Sequence, residues 1–419
     1  MAVTSSDSAD VPGLPVPTTI AIAGADFGWG SGGKLSAVIT ALRAHSPRPL
    51  RFVGLSSKLG RPLLAESGVD RWHDSGDDPA AAAKLAGEEG AAAALVVLEG
   101  PTASALQDAG IPTVFVDSLP FLWTEGDRRS LPFHASVYCA QRCLQIPDAS
   151  RDILADVKNL QWVEAIVAPG IATRPAPSSG KATAPCSPRR ALVNFGGLQS
   201  PTLADWTNYP RAVLGPVLDA LVAYGIREVH IAGNLPPGFL AHVSPAHAQM
   251  KTISCAPLGH REFLERLAAA DVLLTSPGLT TLLEAGALAI PVVCLPPQNL
   301  SQIFNGRFHS QATGADTQVR WPEHVFSVDA VLADRTVSEE DALRVIYAGI
   351  AAAAGDAGVR SAIRDQVLSA LRRAEDGADW TGLTTALGRS GAAQVADHVL
   401  ALLVRGKPAG ASQTSQPAD

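Results

Sequence analysis

The chain has 419 residues, 47% of them hydrophobic, which is long enough for two domains of ordinary size. Its 33 Lys and Arg against 40 Asp and Glu residues give a net charge of -7, so there is no electrostatic basis for binding nucleic acid or an anionic membrane surface. No apolar run reaches the roughly 18 residues of a membrane span, and the N-terminus lacks the basic and apolar regions of a signal peptide. We therefore expect a cytoplasmic enzyme.

The N-terminal half alternates short apolar runs with Ala-rich helical segments. Residues 18–25 are predicted to form a buried strand, a glycine loop follows to residue 33, and residues 34–44 have helical periodicity. Further strands are predicted at 50–55, 94–98, 113–116 and 165–168. This alternation indicates a mostly parallel sheet covered by helices.

A segment rich in Pro, Ser and Ala then interrupts the pattern. Residues 171–190 lack periodicity and are predicted to link a first domain, 18–170, to a second, 191–385. In the second domain the predicted strands are 191–195, 228–232, 249–253, 272–275 and 292–295, and the predicted helices include 212–224, 260–270 and 280–288.

The C-terminal region is Ala-rich and predicted to be helical from 337 to 405, with breaks at Gly355, Gly388 and Gly391. We expect its last helix, within 386–405, to return to the first domain. The polar segment 406–419 is predicted to be a disordered tail.

The cysteines and the acidic residues show no metal-binding spacing. There are five cysteines, an odd number, and Cys139 and Cys143 are spaced as neighbours on a helix, so we expect reduced and mostly buried thiols. There is no Asp-x-Asp, His-Glu-x-x-His or paired Cys-x-x-Cys motif. The sequence therefore predicts neither a metal ion nor a resident cofactor.

The most informative segment joins a strand at 272–275 to a helix at 280–288. Ser276 and Gly278 lie in the turn, and a helix N-terminus offers free N–H groups and a positive dipole end to a phosphate. Thr280 or Thr281 adds a hydroxyl, and Glu284, about 6 Å further along the helix axis, can accept hydrogen bonds from a ribose diol. This spacing predicts a nucleotide diphosphate site.

The same segment resembles the GT-B glycosyltransferases, in particular the UDP-glycosyltransferases and the peptidoglycan N-acetylglucosaminyltransferase. Those enzymes carry a small-Gly-x-x-Thr/Ser-x-x-Glu-Ala turn and helix, a Pro seven residues after the Glu, and a loop ending in Asp-Gln-x-x-Asn. The matching residues here are Gly278, Thr281, Glu284, Ala285, Pro291, Gln302 and Asn305. The resemblance implies an α/β fold of two Rossmann-like domains facing a cleft, with C-terminal helices.

The resemblance also implies roles on the donor side. Gly278 and Thr281 would hold the diphosphate, Glu284 the ribose, and Gln302 the donor sugar, with Asn305 closing the motif. A Gly-Gly loop, Gly196 and Gly197, follows the strand at 191–195 and would face the diphosphate from the opposite side. Two positions depart from the family: Ser276 stands where relatives usually have His or Arg, and Ser301 where many have Asp.

The acceptor side is less well marked. The loop containing Gly30 and Lys34 nearly matches a phosphate-binding P-loop, but Leu35 replaces the required hydroxyl residue. The resemblance implies that this loop contacts the sugar acceptor. Lys34 then lies near the position of the catalytic histidine in the related enzymes.

The catalytic base is therefore sought elsewhere. Asp26, at the end of the first strand, is the first candidate and His134 the second, although each also fits a structural role such as loop capping. Asp117 and Trp123 follow a strand and are predicted to line the acceptor pocket, with a packed loop as the alternative. His260 begins the predicted helix that precedes the strand at 272–275, and a structural role at that helix N-terminus accounts for it.

Together these features predict an inverting, metal-independent glycosyltransferase that moves a sugar from a nucleotide-diphospho-sugar, such as a UDP-sugar, to a small molecule of secondary metabolism, including antibiotic biosynthesis. Two alternatives stay open. The first keeps the fold but makes the chain a sugar-nucleotide epimerase or hydrolase. The second is a non-catalytic nucleotide-sugar-binding protein. A homodimer is also left open.

Overall fold

The computed structural model describes residues 16–56, 58–171, 190–196, 203, 205–242, 248–333 and 339–405. These residues form two α/β units, each built on a parallel β-sheet. Most of the predicted linker, the predicted tail and Gly197 lie outside the described residues. Within the described residues no single helix is long and apolar enough to cross a membrane.

The first sheet has seven strands in the order β3-β2-β1-β4-β5-β6-β7, and all its pairings are parallel. Its central strands are nearly continuous apolar runs, as expected for strands with helices on both faces. The strands are β1 Thr18–Gly24, β2 Leu50–Leu55, β3 Arg71–His73, β4 Ala93–Val97, β5 Thr113–Asp117, β6 Val137–Gln141 and β7 Leu160–Val163.

The second sheet has five parallel strands in the order β10-β9-β8-β11-β12. Its core packs around β8 and β11, where Val193 and Leu274 are fully buried. The strands are β8 Arg190–Gly196, β9 Glu228–Gly233, β10 Thr252–Ala256, β11 Val272–Thr275 and β12 Val292–Cys294.

Helices cover both sheets. In the first unit they are α1 Gly30–His45, α2 Arg61–Leu64, α3 Pro79–Glu88, α4 Gly100–Asp108 and α5 Asp148–Ala155. In the second they are α6 Asn208–Tyr224, α7 His260–Ala269, α8 Leu279–Leu288, α9 Leu300–Thr313, α10 Val328–Ala333, α11 Glu339–Ala353, α12 Ala357–Glu375 and α13 Gly382–Leu387. The last helix, α14 Gly391–Arg405, packs against α1 and against β4 to β7 of the first sheet.

The α/β fold class is confirmed, but several predicted elements are displaced. The strand predicted at 165–168 lies instead at Leu160–Val163, and the one predicted at 249–253 lies at Thr252–Ala256. β3, which has only three residues, and β6 were not predicted. Cys139 belongs to β6, so its spacing to Cys143 is not helical. The four described cysteines are free thiols, as predicted, while Cys186 lies outside the described residues.

Strand order fixes where a ligand can bind. In each sheet the order in which successive strands are added reverses between two neighbouring parallel strands, β1 and β4 in the first sheet and β8 and β11 in the second. Open parallel sheets bind ligands beyond the carboxyl ends of their strands at such switch points. The residues that follow β1, β4 and β11 lie in one cleft, together with the last residues of β8.

Candidate active site

The cleft between the two units has a volume of about 800 Å³ and is lined by both of them. This volume lies within the range of small-molecule and cofactor sites. From the first unit come the loop after β1, the start of α1, and Leu98 and Glu99 after β4. From the second come the end of β8, the turn before α8 and the loop into α9.

The N-termini of two helices, one from each unit, meet in this cleft. The Thr280 hydroxyl Oγ1 lies 3.4 Å from the Gly30 carbonyl oxygen, and a Cβ on Gly33 would lie 3.2 Å from Thr280 Cγ2. Neither α1, preceded by Trp29, nor α8, preceded by Gly278, has a side chain that caps its first N–H groups. Uncapped helix starts attract anions through free N–H groups and the helix dipole, so this junction suits a phosphate.

A buried group of charged side chains lies beside the junction. His260 Nε2 is 2.6 Å from Glu284 Oε1, and both side chains are almost fully buried. Burial lowers the pKa of His260, but the charge and hydrogen bond of Glu284 outweigh this effect, so the net shift of that pKa is upward. Lys34 Nζ donates to Gln141 Oε1 at 2.8 Å, and burial lowers the Lys34 pKa to about 7 although Glu284 acts in the opposite direction.

The turn before α8 is fixed to β8 by hydrogen bonds. Asn194 Nδ2 donates to Thr275 Oγ1 and Thr281 Oγ1, both at 3.2 Å, and its Oδ1 accepts from the Gly196 N–H. Gly196 has a φ of +64°, a left-handed conformation that favours glycine, and a Cβ there would meet open space. Thr281 and Gly196 thus line the cleft in a geometry that Asn194 sets.

Ser276 is also tied to this framework. Its hydroxyl donates to the Phe195 carbonyl at 3.2 Å and accepts from Gln298 Nε2 at 3.3 Å. Gln298 is held in turn by Tyr347, whose hydroxyl donates to Gln298 Oε1 at 2.8 Å. Ser276 therefore stabilises the turn and places no positive charge at it.

The loop into α9 brings a second group of amides into the cleft. The Asn299 side chain caps α9 through the Gln302 N–H and also accepts from the Ser301 hydroxyl. Gln302 Oε1 accepts from the Gln298 N–H, and Gln302 is one of the residues that line the cleft. Asn305 is 1% exposed, and its Oδ1 has no hydrogen-bond partner among the described residues. Buried polar atoms normally have a hydrogen-bond partner, so this oxygen has unused capacity to accept a hydrogen bond.

Asp26 lines the cleft, but its two carboxylate oxygens are already used. Oδ2 accepts from the Lys58 N–H at 2.9 Å and Oδ1 from the Leu59 N–H at 3.1 Å. These bonds fix the turn after β2. The geometry of Asp26 therefore matches the loop-capping alternative better than that of a free base.

Glu99, which the sequence interpretation did not single out, has the opposite environment. It lines the cleft at the N-cap of α4 without capping that helix, and it follows Leu98, whose φ of +59° is uncommon for a bulky residue. No described residue donates a hydrogen bond to its carboxylate in this structure. Burial raises the Glu99 pKa, and the nearby charges of Asp26 and Asp77 raise it further. Its position after a central strand was the signal that could have identified it.

Asp117 lies behind the cleft rather than in it. It is fully buried, and its carboxylate accepts from Trp123 Nε1 at 2.6 Å and from the Tyr138 hydroxyl at 2.8 Å. Burial raises the Asp117 pKa to about 6, while these hydrogen bonds act in the opposite direction. Asp117 thus orients Trp123, and Trp123 is the one of the two that lines the cleft.

His134 does not reach the site. It is exposed on a turn before β6 and is not among the residues that line the cleft. A general base must come within hydrogen-bond reach of the proton it removes, so the position of His134 does not fit the predicted role of a base. Among the described residues no group of three or more His, Cys, Asp or Glu side chains could hold a metal ion.

No family model and no curated protein matches the chain. Solved structures do match most of its length. The glycosyltransferase SnogD from Streptomyces nogalater has 14% identity, a TM-score of 0.51 and coverage of 92% of this chain and 99% of that one. A putative UDP-N-acetylglucosamine 2-epimerase from Listeria monocytogenes has 13% identity, a TM-score of 0.52 and coverage of 92% and 95%. The S. aureus MnaA structure with UDP has 11% identity, a TM-score of 0.50 and coverage of 96% and 100%.

At such low identity these matches establish the fold alone. Together with the two parallel sheets and the cleft between them, they confirm the predicted GT-B arrangement.

Proposed function

We propose that this chain, with its GT-B fold, is a glycosyltransferase that moves a sugar from a nucleotide-diphospho-sugar to a small-molecule acceptor. The observation that carries the proposal is the junction of two uncapped helix N-termini, α1 and α8, at the wall of an 800 Å³ interdomain cleft. Such a junction suits a diphosphate, and the buried Glu284 lies about one helical turn beyond it.

In this proposal the donor lies along the second unit. The diphosphate binds the first N–H groups of α8 beside Gly278 and Thr281, and Gly196 allows its close approach from β8. Glu284 accepts from the ribose hydroxyls through Oε2, since Oε1 is held by His260. Gln302 and Asn305, which both line the cleft, bind the hydroxyls of the sugar.

The sugar acceptor enters from the first unit, where Trp29, Trp123 and Leu119 provide apolar surface. A hydroxyl of the acceptor attacks the anomeric carbon, the bond from that carbon to the diphosphate oxygen breaks, and the hydroxyl proton passes to a carboxylate. We assign that base role to Glu99, because no described residue donates a hydrogen bond to its carboxylate and its raised pKa favours proton acceptance. A single displacement of this kind inverts the anomeric centre.

The departing nucleoside diphosphate gains negative charge as the bond breaks. The N–H groups at the helix starts are already fixed in place, so they stabilise this charge without reorganising. The small-molecule acceptor and a place in secondary metabolism, antibiotic biosynthesis included, remain part of the proposal.

The test is a screen in two stages. Thermal-shift and calorimetric titration of the full chain with UDP-, dTDP- and GDP-sugars should show binding of at least one class, because a ligand of the native state raises its apparent stability. Turnover with a panel of small acceptors should then release the nucleoside diphosphate only when an acceptor is present. Absence of binding by every nucleotide sugar would contradict the proposal.

A second candidate, a sugar-nucleotide epimerase or hydrolase, is favoured by one observation. The cleft brings together several groups that could exchange protons, namely Lys34, Glu99, His260 and Glu284, which is the acid and base equipment such reactions need. Release of free sugar or formation of an epimer without any acceptor would support this candidate over glycosyl transfer.

A further inference from the structure

Lys34 is a buried base at the contact between the two units. Only 1% of its surface is exposed, although buried lysines are usually paired with an acid. Its hydrogen-bond partner is instead a neutral amide, Gln141 Oε1, which also accepts from the Ile166 N–H. The amine is therefore fixed in position without being neutralised by direct contact with a carboxylate.

The groups around Lys34 come from both units. Glu284 of α8 and His260 of α7 interact with it electrostatically, with opposite signs. Gly33, its neighbour in α1, lies against the start of α8, where a Cβ would be 3.2 Å from Thr280 Cγ2 and 3.9 Å from His260 Nε2. Lys34 is thus adjacent in sequence to a residue of the junction where the diphosphate is proposed to bind, and Lys34 itself lines the cleft.

The second unit offers the diphosphate little positive charge of its own. The turn residue Ser276 is neutral, and its hydroxyl is engaged by Phe195 and Gln298. Of the described residues that line the cleft, the basic ones are Lys34 and His260, and His260 already pairs with Glu284. A bound dianion would leave Lys34 as the cation available to balance it.

Resting on the function proposed above, we infer that Lys34 neutralises the donor diphosphate from the opposite unit and takes up a proton as the donor binds. A nearby anion favours the charged form of an amine, so the ammonium form of Lys34 is stabilised by the diphosphate. Donor binding is then linked to proton uptake above neutral pH, where the free site holds mostly the neutral amine.

The inference is tested by calorimetric titration of the full chain at pH 8 in two buffers of different ionisation enthalpy, HEPES and Tris. The probes are UDP-glucose, dTDP-glucose and GDP-mannose, whose diphosphate diesters do not titrate near neutrality, with uridine, thymidine and guanosine as matched probes that lack the diphosphate. The nucleotide sugar that binds should take up close to one proton at pH 8 and far less at pH 6, and its nucleoside should take up none.

Three variants identify the group that takes up the proton. Lys34→Met should remove the proton uptake at pH 8 and lower the affinity for the nucleotide sugar by about tenfold or more, as expected for loss of a hydrogen bond to a charged group. His260→Gln should retain the uptake, which separates Lys34 from the other titratable base. Lys58→Met removes an exposed lysine that pairs with Asp74, and it should behave like the unaltered protein.

Different results would overturn different statements. If a nucleotide sugar binds without proton uptake, or if uptake persists in Lys34→Met, the role of Lys34 is wrong while the proposed function stands. Loss of uptake in His260→Gln with retention in Lys34→Met would transfer the role to His260. If no nucleotide sugar binds at all, the proposed function and this inference both fail.

Discussion

The half of the cleft from the second unit, proposed to bind the donor, and the half from the first unit, proposed to bind the acceptor, differ in how their turn residues and carboxylates are held. In the donor half, Asn194, Ser276, Gln298 and Thr281 are joined by hydrogen bonds into one framework that links β8, the turn before α8 and the loop before α9. In the acceptor half, no described residue donates a hydrogen bond to the Glu99 carboxylate, which has two acidic neighbours, Asp26 and Asp77. A rigid donor half suits a diphosphate and ribose of fixed shape, whereas an unpaired carboxylate is suited to proton transfer.

The largest effect expected from this contrast is at Glu99. Glu99→Gln keeps the shape of the side chain but removes its capacity to accept a proton, so turnover should fall by about 10²–10⁴-fold while nucleotide-sugar affinity stays unchanged. Steady-state kinetics and calorimetry on the same preparation measure the two quantities. Glu88→Gln, an exposed glutamate of α3, is the matched control and should be inert. Unchanged turnover in Glu99→Gln would contradict the role of Glu99 as the base.

A second test concerns the cost of keeping Lys34 buried. Its folded-state pKa of about 7 lies below the ordinary value of 10.5, so the unfolded chain binds this proton more strongly. The unfolding free energy is therefore lowered by the full amount below pH 7, and this reduction disappears as the pH rises to about 10.5. It amounts to roughly 5 kcal/mol of unfolding free energy.

Lys34→Met should therefore be more stable than the unaltered protein at pH 6, and the difference should shrink steadily towards pH 10. Urea denaturation across this range measures it, with Lys58→Met as the control for loss of an exposed charge. A stability difference that does not change with pH would mean that the pKa of Lys34 is not lowered in the folded protein.

A third test addresses the donor half directly. Glu284→Gln can keep its contact with His260 but loses the carboxylate that is proposed to accept hydrogen bonds from the ribose hydroxyls. Nucleotide-sugar affinity should therefore fall by about tenfold to a hundredfold. Calorimetry measures this, and Glu262→Gln, an exposed residue of α7 paired with Arg266, serves as the control. Unaltered affinity in Glu284→Gln would refute the ribose assignment.

The smallest effect is expected at Asp26. Asp26→Asn retains one of the two oxygens that accept from Lys58 and Leu59, so it should lower the unfolding free energy by about 1 kcal/mol and change turnover only slightly. His134→Gln, remote from the cleft, should change neither. A loss of turnover in Asp26→Asn comparable with that of Glu99→Gln would return the base role to Asp26.

The strand, turn and helix of the half proposed to bind the donor could be predicted because their signals are local. A strand, a turn, a helix start and a carboxylate one helical turn later lie within a few residues of each other, and backbone geometry alone fixes their spacing. Residues 272–275 and 280–288 are accordingly close to the observed β11 and α8. Asn194 and Gln298 were not predicted, since they meet Ser276 and Thr281 only across long sequence separations.

The sequence by itself determined the α/β class, the alternation of strands and helices, and the strand, turn and helix at residues 272–288, because hydrophobic periodicity and helix-start chemistry act over a few residues. The tertiary structure alone decided which unit each polar group faces. It placed Gly33, the neighbour of Lys34, against the start of α8 and put Glu99 in the cleft with no described residue donating a hydrogen bond to its carboxylate. It also engaged Asp26 in a turn and kept His134 out of the cleft lining. Burial and hydrogen-bond partners set these properties, and both depend on residues distant in the chain.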